Sequence, residues 1–220
     1  MSIDSEYGIL LPNGCTITHG SGGKIKRPFT DVDVELHELS PGSTGNGSLS
    51  FGGQAGFIEF TTSTRLPRHV HISQLESSSI GGSTLRLMSE RIFVMDGVAL
   101  VELNGEIYVV PPKSLVTILP GVPHTWTACP AGVDVSTALE LSHGVECVSD
   151  GRFLMLYEYE EPTGFFPTAQ TERILTVDMY VRCDDLERIR IPKLTAEEVI
   201  EDCWFVWDRH LARATVKTQR

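Results

Sequence analysis

Short runs of β-prone residues separated by turn residues occupy the middle of the chain. FIEFTTST, RIFVMDG, VALVELNGEIYVV and LVTILPG follow one another at short intervals, and this spacing is typical of an all-β sandwich or barrel. Asn104 and Gly105 separate two of these runs, and both residue types tolerate the positive φ angles of a two-residue hairpin turn. The pattern therefore predicts an all-β domain.

The regions on either side of these runs are less regular. DVDVELHEL, residues 31–39, alternates apolar and acidic residues as a half-buried strand does, whereas residues 41–56 are rich in Gly and Ser and predict a loop. Thr195 and Glu198 form a capping-box pattern before AEEVIEDCWFVWDRHLARA, which predicts a C-terminal helix. We expect one structural domain in three parts: an N-terminal extension with strands (1–60), a barrel (61–180) and a helical extension (181–220).

Charge and hydropathy argue against two classes of partner. The 220 residues carry a formal net charge of -11 without clusters of Lys or Arg, which disfavours nucleic acid as a partner. No apolar run approaches the roughly 20 residues that span a bilayer, and the N-terminus lacks a secretory signal pattern. We therefore expect a cytoplasmic protein without a membrane partner, and we expect its five scattered cysteines to be free thiols.

Two histidines and two later residues carry the chemistry. His69 and His71 are two residues apart, so on a strand both side chains leave the same face. Imidazole is a frequent ligand of transition metals, although an exposed strand can carry the same pair. Further along, Glu90 opens ERIFVMDG and His124 closes LPGVPH.

These residues resemble the two sequence motifs of the cupin superfamily. The first motif is His-x-His, a short gap, Glu, six residues and Gly, and the second ends in Pro-x-Gly-x-x-His. Glu90 and Gly97 keep the first interval, Gly121 and His124 keep the second, and the resemblance extends over residues 61–128. It implies the cupin double-stranded β-helix, a jelly-roll barrel, with one divalent metal held by His69, His71, Glu90 and His124.

The chain departs from the cupin pattern between His71 and Glu90, where the gap is far longer than usual and predicts an inserted loop, 73–89. Glu76 follows His71 at the usual distance and is the alternative carboxylate ligand. We favour Glu90, because it opens a strong strand that lies opposite the histidine strand, whereas Glu76 lies in a segment of loop composition. The loops 41–56 and 73–89 are both candidates for a lid.

The resemblance implies a metal-dependent enzyme that acts on a small oxygenated organic molecule. Three imidazoles and one carboxylate suit Fe(II), Mn(II), Ni(II), Co(II) or Zn(II), and they leave two positions of an octahedral shell open for substrate. We favour Fe(II) and a dioxygenase-type reaction. The alternatives are a redox-neutral Lewis-acid lyase, isomerase or cyclase, catalysing decarboxylation or cyclisation, and a non-catalytic cupin that binds a small molecule.

Three aromatic residues are candidates for the wall of a substrate pocket: Phe93, Tyr108 and Trp126. Trp126 comes two residues after His124 and so points to the same side of a continuing strand. YEYEEPTGFFPT, residues 157–168, places paired acids beside aromatics, for which a solvated strand end is the simpler interpretation. Because exposed edge strands of such barrels pair with a second chain, we expect a homodimer.

Overall fold

The computed structural model describes residues 3–4, 8–22, 24–26, 36–38, 55–76, 83–140 and 146–214. Within these ranges two large β-sheets enclose the core and short helices lie at the periphery. No helix in this part of the chain is long and apolar enough to cross a membrane. Strands are numbered below in chain order.

The first sheet contains seven strands and includes the first part of the chain. In spatial order they are β1 (Ile3–Asp4), β2 (Ile9–Leu10), β3 (Thr16–His19), β12 (Ser114–Ile118), β9 (Glu90–Gly97), β14 (Arg152–Tyr159) and β6 (Ala55–Thr61). All their pairings are antiparallel. Strands that follow one another in the sequence are often not neighbours in this sheet, as the crossovers of a jelly roll require.

The second sheet contains eight strands. In spatial order they are β15 (Gly164–Pro167), β7 (His69–Glu76), β13 (His124–Ala128), β10 (Ala99–Leu103), β11 (Glu106–Val110), β16 (Trp204–Trp207) and β17 (His210–Arg213), with β8 (Ser83–Leu87) also paired to β7. The remaining elements are β4 (Lys24–Lys26) paired with β5 (Leu36–Glu38), the helices α1 (Val135–Ala138) and α2 (Ala196–Asp202), and 3-10 turns at Gly20–Gly22 and Val177–Met179.

The main core lies between the inner faces of the two sheets. Ile92 and Val94 of β9 and Phe60 of β6 pack there against Val101 and Trp126 of the second sheet, and all five side chains are buried. A second apolar cluster covers the outer face of β10 and β11, where α1 and α2 pack. The all-β, two-sheet jelly-roll fold expected from the sequence is confirmed, and all five cysteines have free thiols.

The predicted hairpin between β10 and β11 is present. Asn104 and Gly105 have φ angles of 56° and 83°, and the antiparallel register pairs Leu103 with Glu106 directly before and after them. Positive φ at both turn residues matches the right-handed twist of the strands. The turn therefore sets the register of β10 against β11, and β10 pairs on its other edge with β13, which carries His124.

The C-terminal helix is shorter than predicted. The capping box of Thr195 and Glu198 is present, but α2 ends at Asp202 and the following residues form β16 and β17. The helical interpretation was wrong for this second part, because WFVW consists of aromatic and β-branched residues that favour strands. β16 pairs in parallel with β11, and Phe205 and Val206 are both buried although they face opposite sides of the sheet.

The predicted insertion after His71 is a hairpin extension and not simply a loop. β7 continues to Glu76, and β8 pairs back along it, with Ile72 opposite Leu87 and Glu76 opposite Ser83. Residues 77–82, between β7 and β8 in the sequence, lie outside the described residues, as do residues 41–54 of the Gly- and Ser-rich segment. Of the strand predicted at 31–39, only Leu36–Glu38 is described, and it forms β5.

Candidate metal centre

Three histidines from two neighbouring strands meet at one end of the core. The antiparallel register places His124 of β13 directly opposite His69 of β7, and His71 follows on the same face of β7. One nitrogen from each ring lies within 4.8 Å of the other two. The three side chains are at most 2% exposed. The structure therefore brings together the three histidines that the sequence singled out.

Backbone carbonyl groups fix the orientation of all three rings. The Nδ1 atom of each histidine lies at hydrogen-bond distance from a carbonyl oxygen: 2.7 Å for His69 and Pro67, 3.0 Å for His71 and Gly164, and 2.9 Å for His124 and Val122. A carbonyl oxygen can only accept, so the proton of a neutral imidazole is on Nδ1 and the lone pair is on Nε2. None of the three Nε2 atoms has a hydrogen-bond partner.

Glu90 brings a carboxylate to the same point from the other sheet. It is the first residue of β9, is 3% exposed, and places Oε2 3.0 Å from Nε2 of His124 and 3.4 Å from Nε2 of His71. Oε2 also has no hydrogen-bond partner. Four buried polar atoms therefore face one another, and a carboxylate oxygen beside imidazole lone pairs is stable only with a proton or a metal ion among them.

The protonation states fit a ligand set. Burial lowers the pKa of His69 well below its ordinary value, and His124 and His71 lower it further. Burial alone would raise the pKa of Glu90, but the neighbouring His71 and His124 hold it well below its usual range. At neutral pH the site therefore offers a neutral imidazole and a charged carboxylate, which are the forms that bind metal ions.

Glu76, the alternative carboxylate, lies farther along the histidine strand. It is the last residue of β7 and comes five residues after His71. At a rise of roughly 3.3 Å per residue, its Cα is about 16 Å from that of His71 along the strand. Its backbone pairs with Ser83 in the hairpin extension.

Two aromatic residues that were not among the site candidates contact the histidines. Tyr159 lies directly opposite Glu90 in the register, is 4% exposed, and has its ring centroid 4.5 Å from that of His71. Phe165 lies opposite His71 on β15, with its ring centroid 4.6 Å from that of His69, yet it is 55% exposed. Phe165 therefore marks the side on which the histidines approach solvent.

The Tyr159 side chain lies close enough to Glu90 for the charge of that carboxylate to affect the tyrosine hydroxyl group. Burial raises the pKa of Tyr159, and the charge of Glu90 raises it further, so the hydroxyl remains a donor. Alternation along β14 provides a sequence signal for Tyr159, since the buried core residues Phe153 and Met155 precede it at intervals of two. Residues 157–168 were interpreted as a solvated strand end. Within this segment that interpretation fits only Glu160 and Glu161, which form ion pairs with Arg86.

The three aromatic pocket candidates occupy different surroundings. Trp126 shares the inner face with His124, and Tyr108 lies in the same core, because Val101 is paired with both. Both aromatic side chains are at most 4% exposed. Phe93 is an odd number of residues from Glu90 on β9, so it points to the opposite face and lines a groove outside the first sheet. The structure therefore does not bring Phe93 to the histidines.

Comparison with known proteins gives little beyond these observations. No protein-family model matches the chain, and no curated protein matches it. A solved dTDP sugar isomerase from Desulfovibrio desulfuricans G20 is similar with a TM-score of 0.40 and 13% sequence identity. The similarity covers 82% of this chain and 90% of that chain. Similarity at this level carries no argument about the reaction, which has to be inferred from the residues of this chain.

Proposed function

We propose that the protein is a metal-dependent enzyme that acts on a small oxygenated organic molecule. Its ligands for one divalent transition metal are His69, His71, Glu90 and His124. One observation carries this proposal: three buried imidazoles, each fixed through Nδ1 by a backbone carbonyl, turn their Nε2 lone pairs toward one point beside a buried carboxylate. Hydrogen-bonded histidines of this kind are typical of metal sites.

The energetics of the four ligand atoms support the same conclusion. His69, His71 and His124 each have an Nε2 atom without a hydrogen-bond partner, and Glu90 has an Oε2 atom in the same state. A buried polar atom left unsatisfied costs about 1–3 kcal/mol, and more when it is charged. One divalent ion would satisfy all four at once. Glu76 is about 16 Å along the strand from His71, which favours Glu90 as the carboxylate ligand.

The ligand set by itself suits several metals, since affinity for imidazole and carboxylate follows the general order of the transition metals. A bound ion would supply Lewis-acid stabilisation of negative charge on a carbonyl or enolate oxygen of the substrate. We favour a redox-neutral lyase, isomerase or cyclase reaction, because it needs only this Lewis-acid stabilisation. A dioxygenase reaction also needs a redox-active metal, and the Fe(II) prediction remains to be tested.

The surroundings of the ligands favour a small substrate. The histidines lie inside the barrel end, between the two sheets, and Phe165 is the exposed aromatic ring beside them. An aromatic wall with a few polar groups is typical of small-molecule sites. We infer that the substrate enters the site past Phe165 and approaches the proposed metal ligands from the side of the barrel formed by β15.

Metal content tests the proposal. Untagged wild-type protein, the His124→Ala variant and the His210→Ala control are reconstituted with each candidate metal and analysed by elemental mass spectrometry. His210 is an exposed residue of β17, outside the ligand set. We expect one ion per chain in the wild type and in the control, and loss of the ion in His124→Ala. No retained metal in the wild type would refute the proposal.

Oxygen uptake then separates the two reaction classes. Reconstituted protein is incubated with small phenolic, dicarbonyl and hydroxy-acid compounds, and both substrate loss and dissolved oxygen are recorded. Turnover without oxygen uptake supports the redox-neutral reaction, whereas stoichiometric uptake supports a dioxygenase. Binding of a compound without its conversion would favour the non-catalytic alternative.

A further inference from the structure

Phe165 is placed beside the histidines by the pairing of β15 with β7. It lies directly opposite His71 in the antiparallel register, and side chains of directly opposite residues leave the same face of a sheet. His71 points into the barrel, where it meets His69 and His124, so the Phe165 side chain also lies on the inner side of the second sheet. The ring therefore belongs to the barrel end that holds the proposed metal ligands.

The ring of Phe165 packs against two of the proposed ligands and remains accessible. Its centroid lies 4.6 Å from that of His69 and 5.3 Å from that of His71. Both histidines are 2% exposed, whereas Phe165 is 55% exposed. A single exposed apolar side chain is common on protein surfaces, but this ring combines exposure with contact to two buried imidazoles. A molecule that reaches the histidines from this side therefore also meets the aromatic ring.

The backbone that carries this ring is tied to the histidine strand. The carbonyl oxygen of Gly164, directly before Phe165, lies 3.0 Å from Nδ1 of His71. The hydroxyl group of Thr163 donates to the carbonyl oxygen of Ile72 at 2.7 Å. Together with the strand pairing, these contacts fix where the ring lies relative to the imidazoles. A bound molecule that packs on a ring already held in place incurs little cost in conformational entropy.

The charges at the same end of the barrel argue against a second anionic group on the substrate. Arg86 forms ion pairs with Glu160 at 3.1 Å and with Glu161 at 2.6 Å. Glu160 directly follows Tyr159, whose ring packs on His71 at a centroid distance of 4.5 Å, so these charges lie at the edge of the same site. One guanidinium and two carboxylates carry a net negative charge, which disfavours an additional phosphate or carboxylate group. An uncharged aromatic group fits this wall better.

We propose that Phe165 is a specificity-determining residue, which selects substrates that carry an aromatic ring next to the oxygen atoms that bind the metal. This inference rests on the proposed metal-dependent function and narrows its small oxygenated substrate to an aromatic one. Aromatic rings attract one another in offset-stacked and edge-to-face arrangements. A contact of this kind with a half-exposed ring contributes roughly tenfold to affinity, which corresponds to about 1.4 kcal/mol.

The test compares two metal-binding probes that differ only in one group. Benzohydroxamate and acetohydroxamate present the same pair of chelating oxygen atoms, but the first carries a phenyl ring where the second carries a methyl group. Their dissociation constants are measured by calorimetric titration of the cobalt-reconstituted protein. We expect Phe165→Ala to weaken benzohydroxamate binding roughly tenfold and to leave acetohydroxamate binding within about twofold of wild type.

Two further variants show whether the aromatic ring at this position is responsible. Phe165→Tyr keeps the ring and should retain the wild-type affinity for both probes. Phe57→Ala is the matched control, because it removes a phenyl ring that is 75% exposed on β6, on the opposite face of that strand from the core residue Phe60. It should change neither affinity. A loss in Phe165→Tyr as large as that in Phe165→Ala would contradict a role for the ring.

The cobalt content of each protein is measured before titration, so that loss of the metal is distinguished from loss of the ring contact. Equal weakening of both hydroxamates in Phe165→Ala would show a general disturbance of the site and overturn the proposal, as would an unchanged benzohydroxamate affinity. Wild-type protein that binds cobalt but neither hydroxamate would also overturn it. Absence of cobalt binding by the wild type would instead refute the proposed metal-binding function itself.

Discussion

Removal of the metal is the perturbation for which the structure gives the clearest magnitude. Four buried atoms of the proposed metal site have no hydrogen-bond partner in the protein: Nε2 of His69, His71 and His124, and Oε2 of Glu90. At about 1–3 kcal/mol for each unsatisfied buried group, even the lower bound gives about 4 kcal/mol. Binding equilibrium gives a similar value, since a metal ion present at about 1,000 times its Kd stabilises the folded state by about 4.1 kcal/mol.

Thermal unfolding measures this difference. A chain of 220 residues shifts its Tm by about 2–4 °C per kcal/mol, so we expect reconstituted protein to melt at least about 8 °C above protein treated with a chelator. The difference should disappear in His124→Ala, which retains only part of the ligand set, and persist in His210→Ala.

A wild-type Tm that is unchanged by chelator and by every candidate metal would refute the argument, because the four ligand atoms would then need no ion. A metal-dependent shift that also remained in His124→Ala would place the stabilising ion elsewhere. Either result would leave the convergence of the three histidines without a metal to explain it.

Three further predictions concern the rest of the molecule. Burial lowers the pKa of His19 from 6.5 to about 4. As the pH drops from about 6.5 to about 4, the His19 imidazole is therefore protonated in the unfolded chain but not in the folded protein, and the free energy of unfolding falls. The loss is on the order of 2 kcal/mol at pH 5. Denaturant titrations should show it in the wild type and not in His19→Asn, whose side-chain oxygen can still accept from the Asp208 backbone N–H. Trp126→Ala should cost about 3–5 kcal/mol in similar titrations, because Trp126 is 1% exposed in the main core, whereas equal losses for Trp126→Ala and Phe93→Ala would contradict the placement of Phe93 on the outer face. Light scattering at micromolar concentration should give the mass of a dimer, and a monomer would reject the predicted pairing.

The positions of the proposed ligands were predictable because they depend on short-range patterns. His69 and His71 are two residues apart on a strand, so both side chains leave the same face, and His124 was indicated by its interval from Gly121. Strand β9 begins at Glu90, as its β-prone sequence indicated. In each case the decisive information lies within a few residues of the side chain concerned.

The features that were missed depend on contacts between distant segments. Trp204–Trp207 becomes a strand because it pairs in parallel with β11 and buries both faces, which outweighs the helical spacing read from the same residues. Tyr159 enters the site because β14 pairs with β9, and Phe165 because β15 pairs with β7. No local pattern in these segments specifies that these strands become neighbours.

Anomalous diffraction from crystals of the metal-reconstituted protein tests the central claim most directly. Data collected on both sides of the absorption edge of the metal locate the ion and identify the element. The account predicts one anomalous peak inside the barrel, bound by the Nε2 atoms of His69, His71 and His124 and by the carboxylate of Glu90. A peak that these residues do not surround, or no peak at full reconstitution, would contradict it.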